Sequence, residues 1–354
     1  MIRKYFYFIT MLLFFTIINA QNTNESEDDV FSELKMRNIG PAFVSGRISD
    51  IAIHPNNQNM WYVAVSSGGV WKTENAGTTW NPIFDKESVY STGCITLDPS
   101  NPSTVWLGTG ENVGGRHLSF GDGIYKSIDD GKTWKNMGLK NSEHISKIIV
   151  HPSNSDIILV AAQGPLWSLG GDRGLFKSID GGKNWSKVLG VNEWTGVTDI
   201  VIDALNPDWM YAATWQRHRT VAAYMSGGPG SGIYRSKDGG DTWEELKTGL
   251  PKSNMGKIGL TISPQNSEVV YAAIETDRRT GGVYKSTNKG ASWEKQSNAV
   301  SGATGPHYYQ ELYASPHVFD RLYLMDVRIQ VSDDGGKTFR VLKEEKKHSD
   351  NHSI

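Results

Sequence analysis

The sequence predicts an all-β chain folded as a β-propeller of four-stranded blades, and three observations carry that expectation. The first is a repeated eight-residue turn. Thr73-Glu-Asn75-Ala-Gly77-Thr-Thr79-Trp80 returns as Ser127-Ile-Asp129-Asp-Gly131-Lys-Thr133-Trp134, with further copies beginning at Ser178, Ser236, Ser286 and Ser332. Their starting positions lie 54, 51, 58, 50 and 46 residues apart, the near-constant period of a repeat architecture. The second is a strand, Pro turn and strand ahead of each copy, as in Ile48-Ser-Asp-Ile-Ala-Ile-His-Pro55 followed by Met60-Trp-Tyr-Val-Ala-Val65. The third is composition: 38 glycines and 12 tryptophans in 354 residues fit short strands joined by tight turns.

Each repeat therefore holds four strands, here A to D. Strand A precedes the Pro turn and strand B follows it. Strand C precedes the eight-residue turn, as in Gly69-Val-Trp-Lys and Gly123-Ile-Tyr-Lys, and strand D follows. The turn has turn chemistry. Asn75, Asp129, Asp180, Asp238, Asn288 and Asp334 can accept hydrogen bonds from their own backbone amides. The glycine two residues later supplies a positive φ without steric cost. Trp80, Trp134, Trp185, Trp243, Trp293 and Phe339 then open strand D with a large ring to bury. These residues are expected to be structural, because the turn accounts for every residue type. Four antiparallel strands per repeat make a blade that cannot bury its faces alone. Six blades are visible over 31–354. Asp350-Asn-His-Ser-Ile354 has the pattern of another strand A, so a seventh blade is expected, cut short here. The alternative is a six-bladed ring closed by a strand around Leu34 to Asn38.

Residues 1–20 read as a secretory signal peptide: Arg3 and Lys4, an uncharged run from Tyr5 to Ile18, and Ala20 as the small exit residue before Gln21. A polar, acidic segment occupies 21–30. The run is shorter than the ~20 residues that span a bilayer, so an exported chain with no membrane span after cleavage is expected, in a periplasm, at the cell surface or outside. The formal charge of −2 argues against a nucleic-acid partner held by a basic surface. Cys94 is the single cysteine, which excludes an intrachain disulfide framework, and its apolar setting points to a buried thiol. No cofactor or metal is expected. His348 and His352 lie in a polar segment that reads as a loop, and Gly227 to Gly232 lacks the Lys-Ser/Thr of a phosphate loop.

Strand order locates function. The Pro turns and the eight-residue turns fall on one face, so the B–C loops and D–A connections share the other. There the chain is irregular, polar and aromatic: Glu111, Arg116 and His117 in the second repeat, Trp167 and Arg173 in the third, Arg217, His218 and Arg219 in the fourth, Glu275 in the fifth, and Tyr308 before the sixth. Rings that stack beside polar groups that orient suit a glycan or an extended peptide. Glu111 and Glu275 are the candidate catalytic carboxylates, three blades apart and expected to face each other across the channel.

The Ser/Thr-x-Asp-x-Gly-x-Thr-Trp turn resembles the Asp box, or BNR repeat. From about Phe31 onward the chain is similar to exported bacterial proteins of the sortilin N-terminal, BNR-propeller class. It shares that architecture with xyloglucan-degrading glycoside hydrolases built from two propellers. The resemblance implies a glycan- or peptide-binding propeller or, alternatively, a polysaccharide-acting glycoside hydrolase with a second propeller as partner. In those hydrolases an aspartate precedes a Gly-Gly pair in the first blade; the matching residue here is Ser67, ahead of Gly68-Gly69. A serine cannot act as the carboxylate of glycoside hydrolysis. The Arg-Ile-Pro stretch of sialidases is also replaced, by Arg47-Ile48-Ser49.

Overall fold

The structure, a computed structural model, describes residues 46–115, 118–277, 280–301, 309–343 and 347–354. The signal peptide, the acidic segment and the proposed closing strand at Leu34–Asn38 lie outside the described residues.

Six antiparallel sheets follow one another along the chain, and no α-helix occurs among the described residues. The first holds β1 (Ile48–Ile53), β2 (Trp61–Val65), β3 (Gly69–Thr73) and β4 (Asn81–Pro82). The second holds β5 (Thr92–Leu97), β6 (Val105–Thr109), β7 (Ile124–Ser127) and β8 (Lys135–Asn136). The third holds β9 (Ile145–His151), β10 (Asn154–Ala162), β11 (Gly174–Ser178) and β12 (Ser186–Leu189). In the fourth, β13 (Thr195–Ile202), β14 (Met210–Arg219), β16 (Gly232–Ser236) and β17 (Glu244–Leu246) are joined by a fifth strand, β15 (Tyr224–Ser226), paired with the end of β14. The fifth holds β18 (Ile258–Ile262), β19 (Val270–Thr276), β20 (Thr280–Ser286) and β21 (Glu294–Ser297). The sixth holds β22 (Leu312–Ala314), β23 (Leu322–Leu324), β24 (Gln330–Ser332) and β25 (Arg340–Val341). The first strands β1, β5, β9, β13, β18 and β22 lie side by side in order, so the sheets radiate from a common axis as the blades of a β-propeller.

The eight-residue turns supply both local closure and adhesion between blades. Asp129 Oδ1 accepts from the Thr133 amide at 2.9 Å, Asp129 Oδ2 from the Thr133 hydroxyl at 2.7 Å, and Ser127 Oγ from the Gly131 amide at 2.9 Å. These bonds hold the carboxyl groups of Asp129, Asp180, Asp238 and Asp334 down at about 2. Asn75 and Asn288 make the same amide contacts in their own turns. The aromatic residue reaches the preceding blade: Trp134 Nε1 donates to the Ile83 carbonyl at 2.7 Å, and Trp185 Nε1 to that of Met137 at 2.8 Å. Only Trp293 is fully buried; Trp80, Trp134, Trp185, Trp243 and Phe339 are half-buried because one ring edge stays at the rim.

The turn glycine is required twice over. In the second to sixth blades it has φ between +78° and +90°, and its α-carbon faces the previous blade. A Cβ on Gly182 would lie 2.6 Å from the Trp106 ring, and one on Gly336 would lie 2.6 Å from Val283. The first blade differs. A Cβ on Gly77 would meet only Trp80 and Trp61, at 3.5 and 3.6 Å.

Candidate functional site

The innermost strands carry an unexpected polar axis. Register shifts at Ser49, Gly93, Ser146 and Thr198 place β-bulges at equivalent points in β1, β5, β9 and β13. A bulge re-aims the side chain that follows, and here those residues are Asp50, Cys94, Lys147 and Asp199. Asp50 Oδ2 accepts from the Ile95 amide at 3.0 Å, and Asp199 Oδ2 from the Leu260 amide at 2.8 Å, so each aspartate binds the next blade's inner strand. Burial pushes Asp199 up to about 6 and raises Asp50 as well. Burial opposes the charge of Lys147, but the neighbouring Tyr313, Asp199 and Asp50 more than offset it, and its pKa is raised. Cys94 is buried and free, with its thiol pushed up by the same burial.

Above this layer, towards the loop face, lies a cavity of about 120 Å3. Its wall includes Arg47, Lys257, Gln310, Glu311 and His352, and its floor Asp50, Lys147 and Tyr313. Arg47 pairs with Glu111, while Lys257 Nζ meets Glu311 Oε1 at 2.7 Å. A second recess, on the Pro-turn side, shares Asp50, Lys147 and Tyr313, so these residues divide the axis.

The loop face holds another recess, of about 540 Å3, between the fourth and fifth blades. Glu275 and Asp277 both line it, with Tyr224, Asn254 and Gly256. Glu275 sits near the end of β19, where its Oε2 accepts from the Lys257 amide at 3.2 Å, and burial pushes its carboxyl up to about 7. Asp277 is exposed one residue beyond the strand. The two glutamates that the sequence sets across the channel have different surroundings. Glu111 is buried, raised by burial and held by Arg47 and Ser66, whereas Glu275 opens into its own recess.

The cations of the loop face are turned inward. Arg173 is buried and directs its guanidinium to the carbonyls of Gln163, Pro165, Ser168, Gly170 and Trp194, clamping the third blade's B–C loop. Arg217 is 0 % exposed, donates to the Val113 carbonyl at 2.6 Å and stacks on Trp215, with its pKa lowered to about 9 by burial. Arg219 bonds the Gly114 carbonyl at 2.8 Å and covers the Tyr224 ring. His218 packs on Trp194. Apolar side chains are also exposed on this face: Tyr90, Phe120, Trp167, Leu169 and Met225, Trp167 by 52 %. Arg116, His117 and Tyr308 lie outside the described residues.

Among the described residues no group of three or more His, Cys, Asp or Glu is placed to hold a metal, and no helix is long and apolar enough to cross a membrane. His348 is exposed, while His352 packs against Tyr309.

No protein-family model matches the chain. Curated proteins do. It is 24 % identical over 300 residues to the oligoxyloglucan-reducing end-specific xyloglucanase of Emericella nidulans, covering 80 % of this chain and 32 % of that enzyme. It is 24 % identical over 271 residues to a xyloglucanase of Acetivibrio thermocellus, covering 70 % of this chain and 30 % of the enzyme. The chain therefore spans about a third of the length of these relatives. Among solved structures, the GH74 xyloglucanase of Xanthomonas campestris superposes with a TM-score of 0.62 at 15 % identity, over 82 % of this chain and 45 % of that one. YCF48 bound to D1 peptide superposes at 0.51 and 13 % identity, over 84 % and 82 %. The relatives of this β-propeller are xyloglucan-degrading glycoside hydrolases.

Proposed function

We propose that this chain is a polysaccharide-acting module of an exported protein, taking a xyloglucan-type glucan on its loop face, with Glu275 as the acid of a glycoside hydrolase. The observation that carries this reading is the recess holding Glu275 and Asp277. Glycoside hydrolysis needs one carboxyl that keeps its proton near neutral pH and one that is ionised, about 5–10 Å apart. Glu275, pushed up to about 7, meets the first condition, and Asp277, exposed in the same recess, is the second carboxyl of the pair. Two residues of extended chain separate their backbones by roughly 6–7 Å. The exposed rings of Tyr90, Phe120 and Trp167 supply stacking surfaces for sugar rings along the same face. The kinship with xyloglucanases supports the substrate class, and the Asp-box turns support the sortilin/BNR type of propeller. Export rests on Arg3, Lys4 and the apolar run to Ile18.

A second reading, binding without turnover, is favoured by Ser67 ahead of Gly68-Gly69, where the resemblance to the two-propeller hydrolases implies an aspartate. One experiment separates the two. Xyloglucan binding is measured by calorimetry and cleavage by release of reducing ends, for the wild type and for Glu275→Gln. Hydrolysis that falls by about 10²–10⁴ in the variant with binding retained supports the hydrolase. Wild-type binding without cleavage selects the binding reading, and absence of both refutes the assignment to this glucan.

A further inference from the structure

The axial cavity holds polar atoms that the propeller itself leaves unused. Gln310 is 0 % exposed and lines the cavity, and its Nε2 has no hydrogen-bond partner. Glu311 Oε2 and His352 Nε2, in the same wall, are likewise buried and without partners. A buried polar atom left without a partner is destabilising, and a hydrogen-bonding occupant relieves that cost. Gln310 also has φ at +114°, a conformation that side-chain-bearing residues rarely adopt. Such strain persists where the surroundings over-determine it, and it clusters at binding sites. Three neighbouring buried polar atoms and one strained backbone thus converge on a single cavity.

The charges around it exclude an ionic occupant. Arg47 is answered by Glu111, and Lys257 by Glu311. Asp50 already accepts from the Ile51 and Ile95 amides, and Asp199 from those of Ile200 and Leu260, with Lys147 lying in the same layer. His352 is held down to about 4 by burial, so it is neutral at physiological pH. An anion would face Glu311, Asp50 and Asp199, and a cation would face Lys147 and Lys257. What the wall lacks is a neutral group that both donates and accepts: a donor towards Glu311 Oε2, an acceptor towards Gln310 Nε2, and either towards His352 Nε2. Hydroxyl groups do both. A volume of about 120 Å3 has room for roughly four waters, or for one small polyol-sized group and not a chain.

We infer that the axial cavity is a binding site for a small neutral polyol of two or three carbons, distinct from the recess at Glu275. The site does not depend on the loop face acting on a glucan.

The test titrates the full chain with glycerol and ethylene glycol, with D-glucose as the arm too large to enter, and with inorganic phosphate and ammonium as ionic arms. Calorimetry and thermal melts report binding. The variants are Gln310→Gly and Glu275→Gln. Glycine is at ease at φ +114°, which offsets part of the loss of the bond that Gln310 Oε1 accepts from the Ser301 amide, so Gln310→Gly removes the amide with the backbone strain relieved, and its own melt without ligand is the reference. The expected result is saturable binding of glycerol or ethylene glycol, weakened roughly tenfold by Gln310→Gly and unchanged by Glu275→Gln. Binding of phosphate, ammonium or D-glucose in preference, polyol binding indifferent to Gln310→Gly, or no binding by any probe would each overturn it. Xyloglucan binding that survives Gln310→Gly keeps the fate of this site separate from that of the glucan reading.

Discussion

Gly182→Ala tests how the blades are held together. Two costs add at this position. The residue has φ at +87°, where an L side chain costs about 1–2 kcal/mol. Its new Cβ would stand 2.6 Å from Trp106 Cη2 and 3.1 Å from Cζ3, and Trp106 is wholly buried in the second blade. Overfilling a packed site of this kind costs about 1–3 kcal/mol. Gly77→Ala is the internal control, because it has φ at +85° but only ordinary contacts at 3.5 Å and beyond. The two variants should therefore share the backbone cost and differ by the contact with the previous blade, about 1–3 kcal/mol. Urea unfolding followed by tryptophan fluorescence, with both variants compared at equal m-value, measures that difference. Equal midpoints for Gly182→Ala and Gly77→Ala would refute the reasoning, since the turn would then act only within its own blade.

Other outcomes follow from the same geometry. Trp185→Ala, losing a half-buried ring and the bond to Met137, should cost about 3 kcal/mol in urea unfolding, the low end for aromatic truncation. Arg217→Ala should cost about 2 kcal/mol by stranding the Val113 carbonyl and emptying the space beside Trp215, whereas Trp167→Ala should change stability by less than about 0.5 kcal/mol and weaken glucan binding in the same calorimetric titration. The turn carboxylates Asp129, Asp180, Asp238 and Asp334 are held at about 2, below their ordinary 3.8, so the stability they add is complete above pH ~4 and is lost as pH falls towards 2; melts across that range should show the loss, less steep in Asp238→Asn. Glu275 is shifted the other way, to about 7 from 4.5, so its contribution is complete below pH ~4.5 and is lost as pH rises through about 7; Glu275→Gln should flatten that decline in melts recorded between pH ~4 and ~8.

The blades were legible because turn chemistry is local. Ser127, Asp129, Gly131 and Thr133 bond to one another within seven residues, so the repeat declares itself without any knowledge of the fold. The fifth strand of the fourth sheet was not legible. Arg217-His218-Arg219 reads as a polar loop, but Arg217 and Arg219 extend β14, pair with β15 and send their guanidinium groups to Val113 and Gly114, more than a hundred residues earlier. A long-range partner of that kind leaves no local pattern; Arg173 misleads differently, because its guanidinium is taken up by carbonyls of its own blade's loop. The axial layer did leave one. Asp50, Lys147 and Asp199 each interrupt an apolar inner strand at the same place in the repeat, a signal visible only when the repeats are aligned with their bulges. Glu275 was legible as an acid of the fifth repeat's B–C loop, although the strand β19 runs on to include it. Its recess came from how β15 and the loop before β18 close over it, which sequence spacing does not encode.

The one-sided seating of the turn glycines has a consequence for how the chain is made. Gly131 faces Ile83, Gly182 faces Trp106, Gly240 faces Leu159, Gly290 faces Tyr211 and Gly336 faces Val283, always an earlier segment. A ribosome releases the amino-terminal part first, and domains generally acquire structure in that order. Every emerging unit thus meets a surface already assembled and needs nothing yet to be synthesised in order to dock. The direction of translation and the direction of adhesion coincide, which shortens the time any exposed sheet face waits for its neighbour.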